Sequence, residues 1–253
     1  MLFRSGSQSQ SRTTTSSDTA AGSSVSAGGD IRLIATGAGA DSDLTIRGAD
    51  INAGGDVLLK ADDKITLQAA RNVEDLDRKS SSAGGGVGLA IQVGQGGASF
   101  GVTANASGSR GKANGTDVTW TNSHVTAGRA LTIASGGDTV LEGAVARGHR
   151  IEGDIGGDLR IASLQDTHDY RSKDQSASGS VTVGFGFSGS ANASQQKIDS
   201  NYASVTEQSG LKAGDGGFDV RVERHTALDG GVIASTKGAV DAGLNRLDKI
   251  GRA

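Results

Sequence analysis

The sequence predicts an all-β protein, a parallel β-helix with inserted β-hairpins. Three observations support this fold: a short phrase that recurs along the chain, an unusual composition, and two charge-free stretches that interrupt the recurrence. Of the 253 residues, 41 are Gly and none is Pro, and the aromatic residues are only five Phe, two Tyr and one Trp. The core must therefore be built from Val, Ile, Leu and Ala. The lack of Pro fits stacked parallel strands, because each backbone N–H there bonds to the next strand.

A nine-residue phrase, apolar-x-Ala-Gly-x-x-apolar-x-apolar, predicts the strands of the coil. It begins at Val25, Ile51 and Val125, and a copy with one extra residue begins at Leu211. Apolar residues at every second position indicate strands of about three to five residues. The Gly-Gly-Asp between them indicates a corner, because Gly accepts a positive φ and Asp can bond its own backbone. Stacked units of about 20 residues would bury an aliphatic column over roughly eight rungs.

These phrases lie within a larger repeat of about 90 residues. The tripeptide Asn105-Ala106-Ser107 returns as Asn192-Ala193-Ser194, 87 residues later. The repeat predicts four segments: a polar tail of a preceding repeat (1–26), a first module (27–123), a second module (124–240) and a tail outside the repeat whose apolar residues have helical spacing (241–253). We expect such a chain to be a piece of a longer array.

The two charge-free stretches, about 84–106 and 178–193, predict one β-hairpin in each module. Apolar residues alternate there with Gly or Ser, so that each set shares one face: Val87, Leu89, Ile91, Val93, Phe100 and Val102 in the first, and Val181, Val183, Phe185 and Phe187 in the second. Two interpretations stay open. The hairpins could pack on the coil and cap its face, or they could enter a membrane as strands, which needs about 9–11 alternating residues.

Motifs that suggest chemistry are expected by chance in a chain so rich in Gly and Ser. Residues Gly184–Gly189 match a dinucleotide-binding pattern and Gly97–Gly101 match the pattern around a nucleophilic serine, but neither leads into a helix. Residues Gly214–Asp219 match part of a calcium-binding nonapeptide, but only once. Metal-ligand spacing is absent from the four histidines, His124, His149, His168 and His225. We therefore expect no catalytic, cofactor-binding or metal-binding residues, and no enzymatic activity.

The placement of charged residues disfavours two further classes of function, polysaccharide lyases and nucleic-acid-binding proteins. Corner carboxylates recur at Asp30, Asp56, Asp138 and Asp158, which indicates a role in turns. A β-helix polysaccharide lyase would instead need converging carboxylates and aromatic residues for the sugar, so this alternative is disfavoured. The formal net charge is −3, and neither a basic stripe nor a polybasic run is visible along the sequence, so neither a nucleic acid nor an anionic lipid surface is expected as a partner on the basis of charge.

The order of the phrases resembles the haemagglutinin repeat of bacterial filamentous haemagglutinins. Residues 123–128 and 135–144 carry the resemblance most clearly, and it extends over about residues 25–236. It implies a right-handed parallel β-helix in an exoprotein of a two-partner secretion system, secreted from or displayed on a Gram-negative bacterium. It also implies two kinds of partner, an outer-membrane secretion protein and the neighbouring repeats of the parent chain.

The resemblance also implies a function. Exoproteins of this kind include adhesins and contact-dependent growth-inhibition toxins, and in the toxins such a repeat block is thought to help carry the toxin across the target outer membrane. We therefore predict a structural segment that supports toxin delivery, with the target outer membrane as a partner of the hairpins. The alternative is an adhesin stalk that mediates cell attachment.

Overall fold

The computed structural model describes residues 2–94, 97–184 and 186–249. The described chain contains a short 3₁₀-helix, Gly39–Asp41, and one α-helix, α1 (Lys237–Asp241). Its strands in chain order are β1 (Leu2–Asp18), β2 (Ser23–Ala27), β3 (Ile31–Ala35), β4 (Leu44–Arg47), β5 (Ala49–Ala53), β6 (Val57–Ala61), β7 (Ile65–Gln68), β8 (Ala70–Gly94), β9 (Gly97–Thr121), β10 (Ser123–Ser135), β11 (Thr139–Glu142), β12 (Ala144–Ile155), β13 (Leu159–Ala162), β14 (Asp166–Val183), β15 (Phe187–Ser204), β16 (Gly210–Ala213), β17 (Phe218–Val222), β18 (Thr226–Asp229), β19 (Val232–Ala234) and β20 (Arg246–Lys249).

The chain divides into two units, each made of three separate segments. The coil comprises Asp18–Asn72, Val118–Asp166 and Ala203–Ala253. The hairpin sheet comprises Met1–Ser17, Val73–Asp117 and Thr167–Tyr202.

The coil consists of parallel strands stacked rung upon rung. One of its sheets has ten strands and the other has five, in the order β18-β13-β11-β7-β4. In the smaller sheet Ile65 pairs with Leu44 on one side and with Thr139 on the other, and Thr139 pairs in turn with Leu159. This pairing stacks equivalent residues of successive rungs, which is the parallel β-helix that the repeated phrase predicts; its right-handedness stays a prediction.

The core of the coil is the aliphatic column that the alternation predicts. Strand β7 reads buried, intermediate, buried, intermediate, with Ile65 and Leu67 facing inward. The largest side chains with essentially no exposed surface all belong to the coil, and they are Val57, Leu59, Ile65, Leu67, Leu131, Ile133, Leu141, Ile151, Ile155, Leu159, Ile161 and Leu211. Burying side chains of this size supplies about 1.5–3 kcal/mol each, so the coil carries the main hydrophobic stabilisation.

The corners use Gly for a different reason from the one that the sequence suggests. Gly54 and Gly156 have no positive φ, but a Cβ on either would come within 3.0 Å of the backbone carbonyl of the corner one rung away. Strands stacked about 4.8 Å apart leave no room for a side chain at this point. The predicted positive φ does occur in the fourth copy of the phrase, at Gly217, and it also occurs at a later corner, at Gly48, Gly143 and Gly230.

The corner carboxylates bond the adjacent rung rather than their own turn. The backbone N–H of Asp56 donates to Asp30 Oδ1 at 2.9 Å, and the N–H of Ala130 donates to Asp56 Oδ1 at 3.0 Å. The same relation links Asp138 to the N–H of Asp158 at 2.9 Å. The prediction that Asp bonds its own backbone is thus wrong in detail, because the N–H groups at these corners lie beside the carboxylate of the neighbouring rung.

The hairpins are longer than the sequence predicts. The stretch predicted at 84–106 lies inside the pair β8–β9, and the one at 178–193 lies inside β14–β15. The coil has five rungs and the beginning of a sixth, not eight, because a rung can take 26 residues, as between the paired Val25 and Ile51, rather than about 20. The last segment adopts no helix over Leu244 and Leu247, since Leu247 lies in β20 and pairs with Val220 of β17 in the register of the coil.

Candidate membrane-contacting sheet

The hairpin sheet has five strands in the order β1-β8-β9-β14-β15. Contacts between neighbouring strands fix an antiparallel register, because one step forward on a strand meets one step back on its neighbour. On β9 and β14, Thr103 bonds Thr182 at 3.0 Å while Asp117 bonds His168. On β8–β9 and β14–β15 the bonded positions are Ser82 with Ser109, Thr116 with Asp75, Ser176 with Ser194 and Ser180 with Ser190. On β1–β8, a Cβ built at Gly84 would lie 3.5 Å from Ser7 Cβ, which places these two residues opposite each other.

One face of this sheet, which we call the apolar face, gathers large hydrophobic side chains from all five strands. Leu2, Leu89, Val102, Val183 and Phe187 occupy one cross-strand row by this register. Their exposed fractions run from 47% at Val102 to 80% at Phe187. The same face carries Val87, Ile91, Phe100 and Val181, each more than 40% exposed. Monomeric proteins rarely expose contiguous apolar patches of this kind unless the patch binds something.

The opposite face, which we call the serine face, is polar over the same length of sheet except at Phe3 of β1, whose exposed ring lies over Gly86 and Gly88. Its rows contain Ser82 opposite Ser109 and Ser176 opposite Ser194, and both hydroxyl pairs are bonded at 2.7 Å. Further along, Ser180 bonds Ser190 at 2.8 Å. An alternating strand that is apolar on one side and polar on the other suits a boundary between lipid and water. No helix in the described part of the chain is long and apolar enough to cross a membrane.

The structure places most of the residues that the sequence assigns to the hairpin faces. Val87, Leu89 and Ile91 share the apolar face with Phe100 and Val102, as the alternation predicts. Phe185 and the side chain of Val93 lie outside the described residues. Sequence reasoning missed Leu2, because β1 precedes the predicted hairpins and its own alternation is polar; only the pairing of β1 with β8 brings Leu2 to this row.

The motifs that suggest chemistry lie in strands and corners. Gly97–Gly101 opens β9, and Gly184–Gly189 runs from the end of β14 into β15 and includes the undescribed Phe185. In the segment Gly214–Asp219, the carboxylate of Asp215 accepts a hydrogen bond from Thr236 at 2.5 Å. Across the described residues, no three His, Cys, Asp or Glu side chains are grouped so as to hold a metal ion. The expectation of no catalytic or ligand-binding residues stays a prediction.

Three of the four histidines contact carboxylates in different places. His168 bonds Asp117 within the hairpin sheet and stacks on Tyr170, with ring centres 6.3 Å apart. His225 bonds Asp158 at a corner of the coil, with its ring nitrogen 3.2 Å from the carboxylate. These separate locations give no shared site. His124 is different, because it belongs to a larger polar cluster.

That cluster, the Glu207 cluster, lies in the coil where the chain returns from the two hairpins. Glu207 accepts hydrogen bonds from His124 Nε2 at 2.7 Å and from Arg147 Nη2 at 2.9 Å, and Asn122 Nδ2 adds a third at 3.3 Å. The other ring nitrogen of His124 bonds Asp50 at 2.8 Å. Partial burial alone would raise the pKa of Glu207, but the bonds from His124, Arg147 and Asn122 outweigh it and lower that pKa to about 2. The cluster therefore joins the return of one hairpin to the return of the other.

A parallel coil with inserted, two-faced hairpins is the architecture expected of a structural repeat segment of a Gram-negative exoprotein that is secreted or displayed on the cell surface. The family model described as hemagglutinin repeat matches residues 4–177, and the chain belongs to that family. The match confirms the family that the order of the phrases indicates.

Relatives with the same segment come from several genera. The chain is 43% identical over 236 residues to a toxin CdiA of Escherichia coli, covering 90% of this chain and 8% of that protein. It is 41% identical over 229 residues to a deoxyribonuclease CdiA of Dickeya dadantii, covering 89% and 7%. It is 40% identical over 225 residues to a tRNA nuclease CdiA of Yersinia mollaretii, covering 87% and 8%. The chain thus spans less than a tenth of these relatives, and no solved structure matches it.

Proposed function

We propose that this segment supports toxin delivery across a target outer membrane, and that the apolar face of the hairpin sheet is the part that meets the lipid. The observation that carries the proposal is that nine large hydrophobic side chains, from Leu2 to Phe187, are exposed together on one face. Each of the two sequence modules, 27–123 and 124–240, contributes one hairpin to that face. In the full-length exoprotein an outer-membrane secretion protein would export the segment.

The edges of the sheet support a role for neighbouring repeats. Strands β1 and β15 form its two edges, and both are exposed along their whole length. Backbone groups that enter hydrocarbon must find partners within the protein, because lipid offers none. We propose that hairpins of adjacent repeats in the parent chain pair with these edges and extend the sheet before it enters the membrane.

We also propose that the segment itself is not an enzyme. Two of the relatives that share this segment are named after different activities, one as a deoxyribonuclease and the other as a tRNA nuclease. A common segment covering 7% and 8% of those proteins is a poor source for two different reactions. A structural role in a shared delivery pathway accounts for both names.

Vesicle binding and leakage test the membrane role. The purified chain should float with lipid vesicles and release a trapped dye. The variant Leu89→Ser/Val183→Ser should partition roughly tenfold less or worse, since two exposed apolar side chains of the face are lost. The control is Ile34→Ser/Val240→Ser, which removes two comparably exposed apolar side chains of the coil (54% and 58% exposed).

Two results would contradict the proposal. One is an equal loss for the face variant and the control variant, and the other is no flotation or leakage of the wild-type chain at any pH between 5 and 8. Attachment of the chain to cell surfaces with no effect on vesicles would instead favour the alternative, an adhesin stalk.

A further inference from the structure

Five basic side chains stand in a single row across the hairpin sheet. The row, which we call the cation row, contains one residue from each strand, in the order Arg12, Lys79, Lys112, Lys173 and Lys197. All five are exposed. The five strands contain ten Lys and Arg residues in total, so half of them fall in this one row.

The row follows from the register of the sheet. Ser82 bonds Ser109 and Thr116 bonds Asp75, which places Lys79 of β8 opposite Lys112 of β9. In the same way, the Thr103–Thr182 bond places Lys112 opposite Lys173, and the Ser176–Ser194 bond places Lys173 opposite Lys197. A Cβ built at Gly84 would lie 3.5 Å from Ser7 Cβ, and this register places Lys79 opposite Arg12. Shared grooves agree with this order, since Lys112, Lys173 and Lys197 line one groove and Arg12, Lys79 and Lys112 line another.

Such a row is unfavourable for the sheet on its own. Like charges directly opposite each other on adjacent strands repel, and the five residues of the row form four such pairs. Carboxylates compensate only in part: Asp77 lies 3.7 Å from Lys79, and Asp199 lies 2.6 Å from Lys197. Within the described part of the chain, no carboxylate lies within 4.0 Å of Lys112 or Lys173. Anions from outside the chain would therefore relieve the repulsion at the middle of the row.

The cation row lies on the apolar face, on the side of its hydrophobic rows that is nearer the start of β8. Lys79 and Leu89 are separated by an even number of residues on β8 and so point to the same side. The nearest carboxylates of this face, Asp77 and Asp199, belong to the next row toward the start of β8. From the cation row to Leu89 in the other direction, the described residues of this face include the cations Arg110 and Arg4 and no Asp or Glu. Charge on this face is thus positive exactly where the apolar rows begin.

The spacing matches a membrane surface. Ala83, where the apolar rows begin on β8, lies four positions beyond Lys79, which is about 14 Å along a strand and about 10 Å in depth if the strand tilts by 45°. Among the described residues of this face between Ala83 and Leu89, Arg4 on the edge strand β1 is the one charged side chain. Lys side chains can extend their ammonium groups back toward a headgroup layer while their stems rest on apolar surface. A sheet whose apolar rows lie in hydrocarbon would therefore hold the cation row at the level of the lipid phosphates.

We propose that the cation row binds the phosphate groups of a lipid membrane surface and so sets how deeply the hairpin sheet enters. The inference rests on the proposed function, since it assumes that the apolar face meets lipid. It adds a ligand, the phosphate-bearing headgroup, and the five residues that bind it. The row also differs from a general basic surface, because its members are aligned across the strands and bounded by acidic residues on one side only.

The test compares vesicle binding of matched charge variants of the full chain. The probes are vesicles of phosphatidylcholine alone and vesicles containing about 30% phosphatidylglycerol, measured by flotation at low and high salt. We expect the wild-type chain to prefer the anionic vesicles, and the preference to shrink as salt rises. Each Lys near an anionic surface contributes about fivefold in affinity, so Lys112→Gln/Lys173→Gln should lose about 30-fold of that preference.

The control removes the same charge elsewhere. Arg78 lies on the serine face of β8 and Lys60 is an exposed residue of the coil, so Arg78→Gln/Lys60→Gln changes the net charge equally without touching the row. This control should keep the preference within about twofold. Thermal unfolding checks that both variants fold, and we expect no loss in the row variant because like-charge contacts are relieved.

Several outcomes would overturn the cation row. One is an equal loss of the preference for anionic vesicles in the row variant and the control variant, and another is an unchanged preference in the row variant. A third is binding of heparin in solution that is as tight and as dependent on the row as vesicle binding, which would identify the ligand as a soluble polyanion rather than a membrane. The proposed function fails separately. It fails if Leu89→Ser/Val183→Ser binds and permeabilises vesicles as well as the wild type does, whatever the row variant shows.

Discussion

The coil and the hairpin sheet are built from the same kinds of residue but treat apolar side chains in opposite ways. In the coil, Leu131 and Leu67 have no exposed surface, whereas in the sheet Leu89 is 49% exposed and Phe187 is 80% exposed. Coil strands are short and stack rung upon rung around a common interior. Sheet strands run for 17 to 25 residues with two solvated faces. The apolar residues of the coil are therefore used for folding, and those of the sheet are available for a partner.

Truncation of a buried leucine should show the largest difference between the two units. Leu131→Ala leaves a cavity in the coil and should lower the free energy of unfolding by about 3 kcal/mol. Leu89→Ala removes a side chain that is half exposed and should lower it by less than about 0.5 kcal/mol. Urea denaturation followed by circular dichroism measures both. Equal effects would mean that the sheet also buries its apolar face, and would contradict the comparison.

Substitution of a corner glycine in the coil should have the next largest effect and lower the free energy of unfolding by about 1–3 kcal/mol. A Cβ at Gly157 would meet Asp138 and the backbone of the adjacent corner within 3.0 Å, so Gly157→Ala forces the rungs apart. At Gly28, in the first rung, a Cβ would meet nothing within 4 Å. Gly28→Ala is therefore the matched control and should change stability by less than about 0.5 kcal/mol. Equal losses at the two positions would show that backbone freedom, not rung contact, requires glycine here.

These two effects show how far the sequence predicts the fold. Alternation around Val57 and Leu59 is local, so the coil strands and their buried faces follow directly from it. The reason for Gly at a corner is not local, because the obstacle is the carbonyl of a residue 20 or more positions away, as with Gly28 and Gly54. Sequence reasoning assigned those glycines to positive φ, which is a property of a single residue and the wrong cause here.

The candidate site shows the same division between local and distant information. The apolar hairpin face was predicted, since Val87, Leu89 and Ile91 are two residues apart. The cation row is not predicted, because neither a basic stripe nor a polybasic run is visible along the sequence. Arg12 and Lys197 are 185 positions apart in sequence, and only strand pairing places them in one row. Pairing between distant strands is what the sequence alone leaves open.

The Glu207 cluster should make the stability of the coil depend on pH. The pKa of Glu207 is about 2 in the folded chain and near 4.5 in the unfolded chain, so its stabilisation is complete above about pH 4.5 and is lost as the pH falls toward 2. Glu207→Gln should cost about 1–2 kcal/mol at pH 7, allowing for partial solvent screening, and nothing near pH 2. Denaturation curves at several pH values measure this difference.

A control separates the cluster from a simple loss of negative charge. Glu223 is an exposed residue of the coil, and Glu223→Gln removes the same charge without removing the bonds to His124 and Arg147. Its stability should follow that of the wild type between pH 2 and pH 7. A pH-independent cost of Glu207→Gln would contradict the account, because the hydrogen bonds depend on the ionised carboxylate.

The smallest effect concerns where acidic side chains find partners. In the sheet, Asp199 pairs with Lys197 on its own strand, whereas in the coil Asp56 bonds across rungs. A hydrogen bond from the backbone N–H of Ala130 is the main cause that lowers the pKa of Asp56, and the side chain of Arg129 is second. Arg129→Gln should therefore raise that pKa only part of the way to its ordinary value, as carboxyl NMR titration would show. The backbone N–H of His225 is the main cause that lowers the pKa of Asp158, and the pKa of Asp158 should not change in the Arg129→Gln variant. A full return of the Asp56 pKa to its ordinary value would assign the shift to the salt bridge and not to the stacking of rungs.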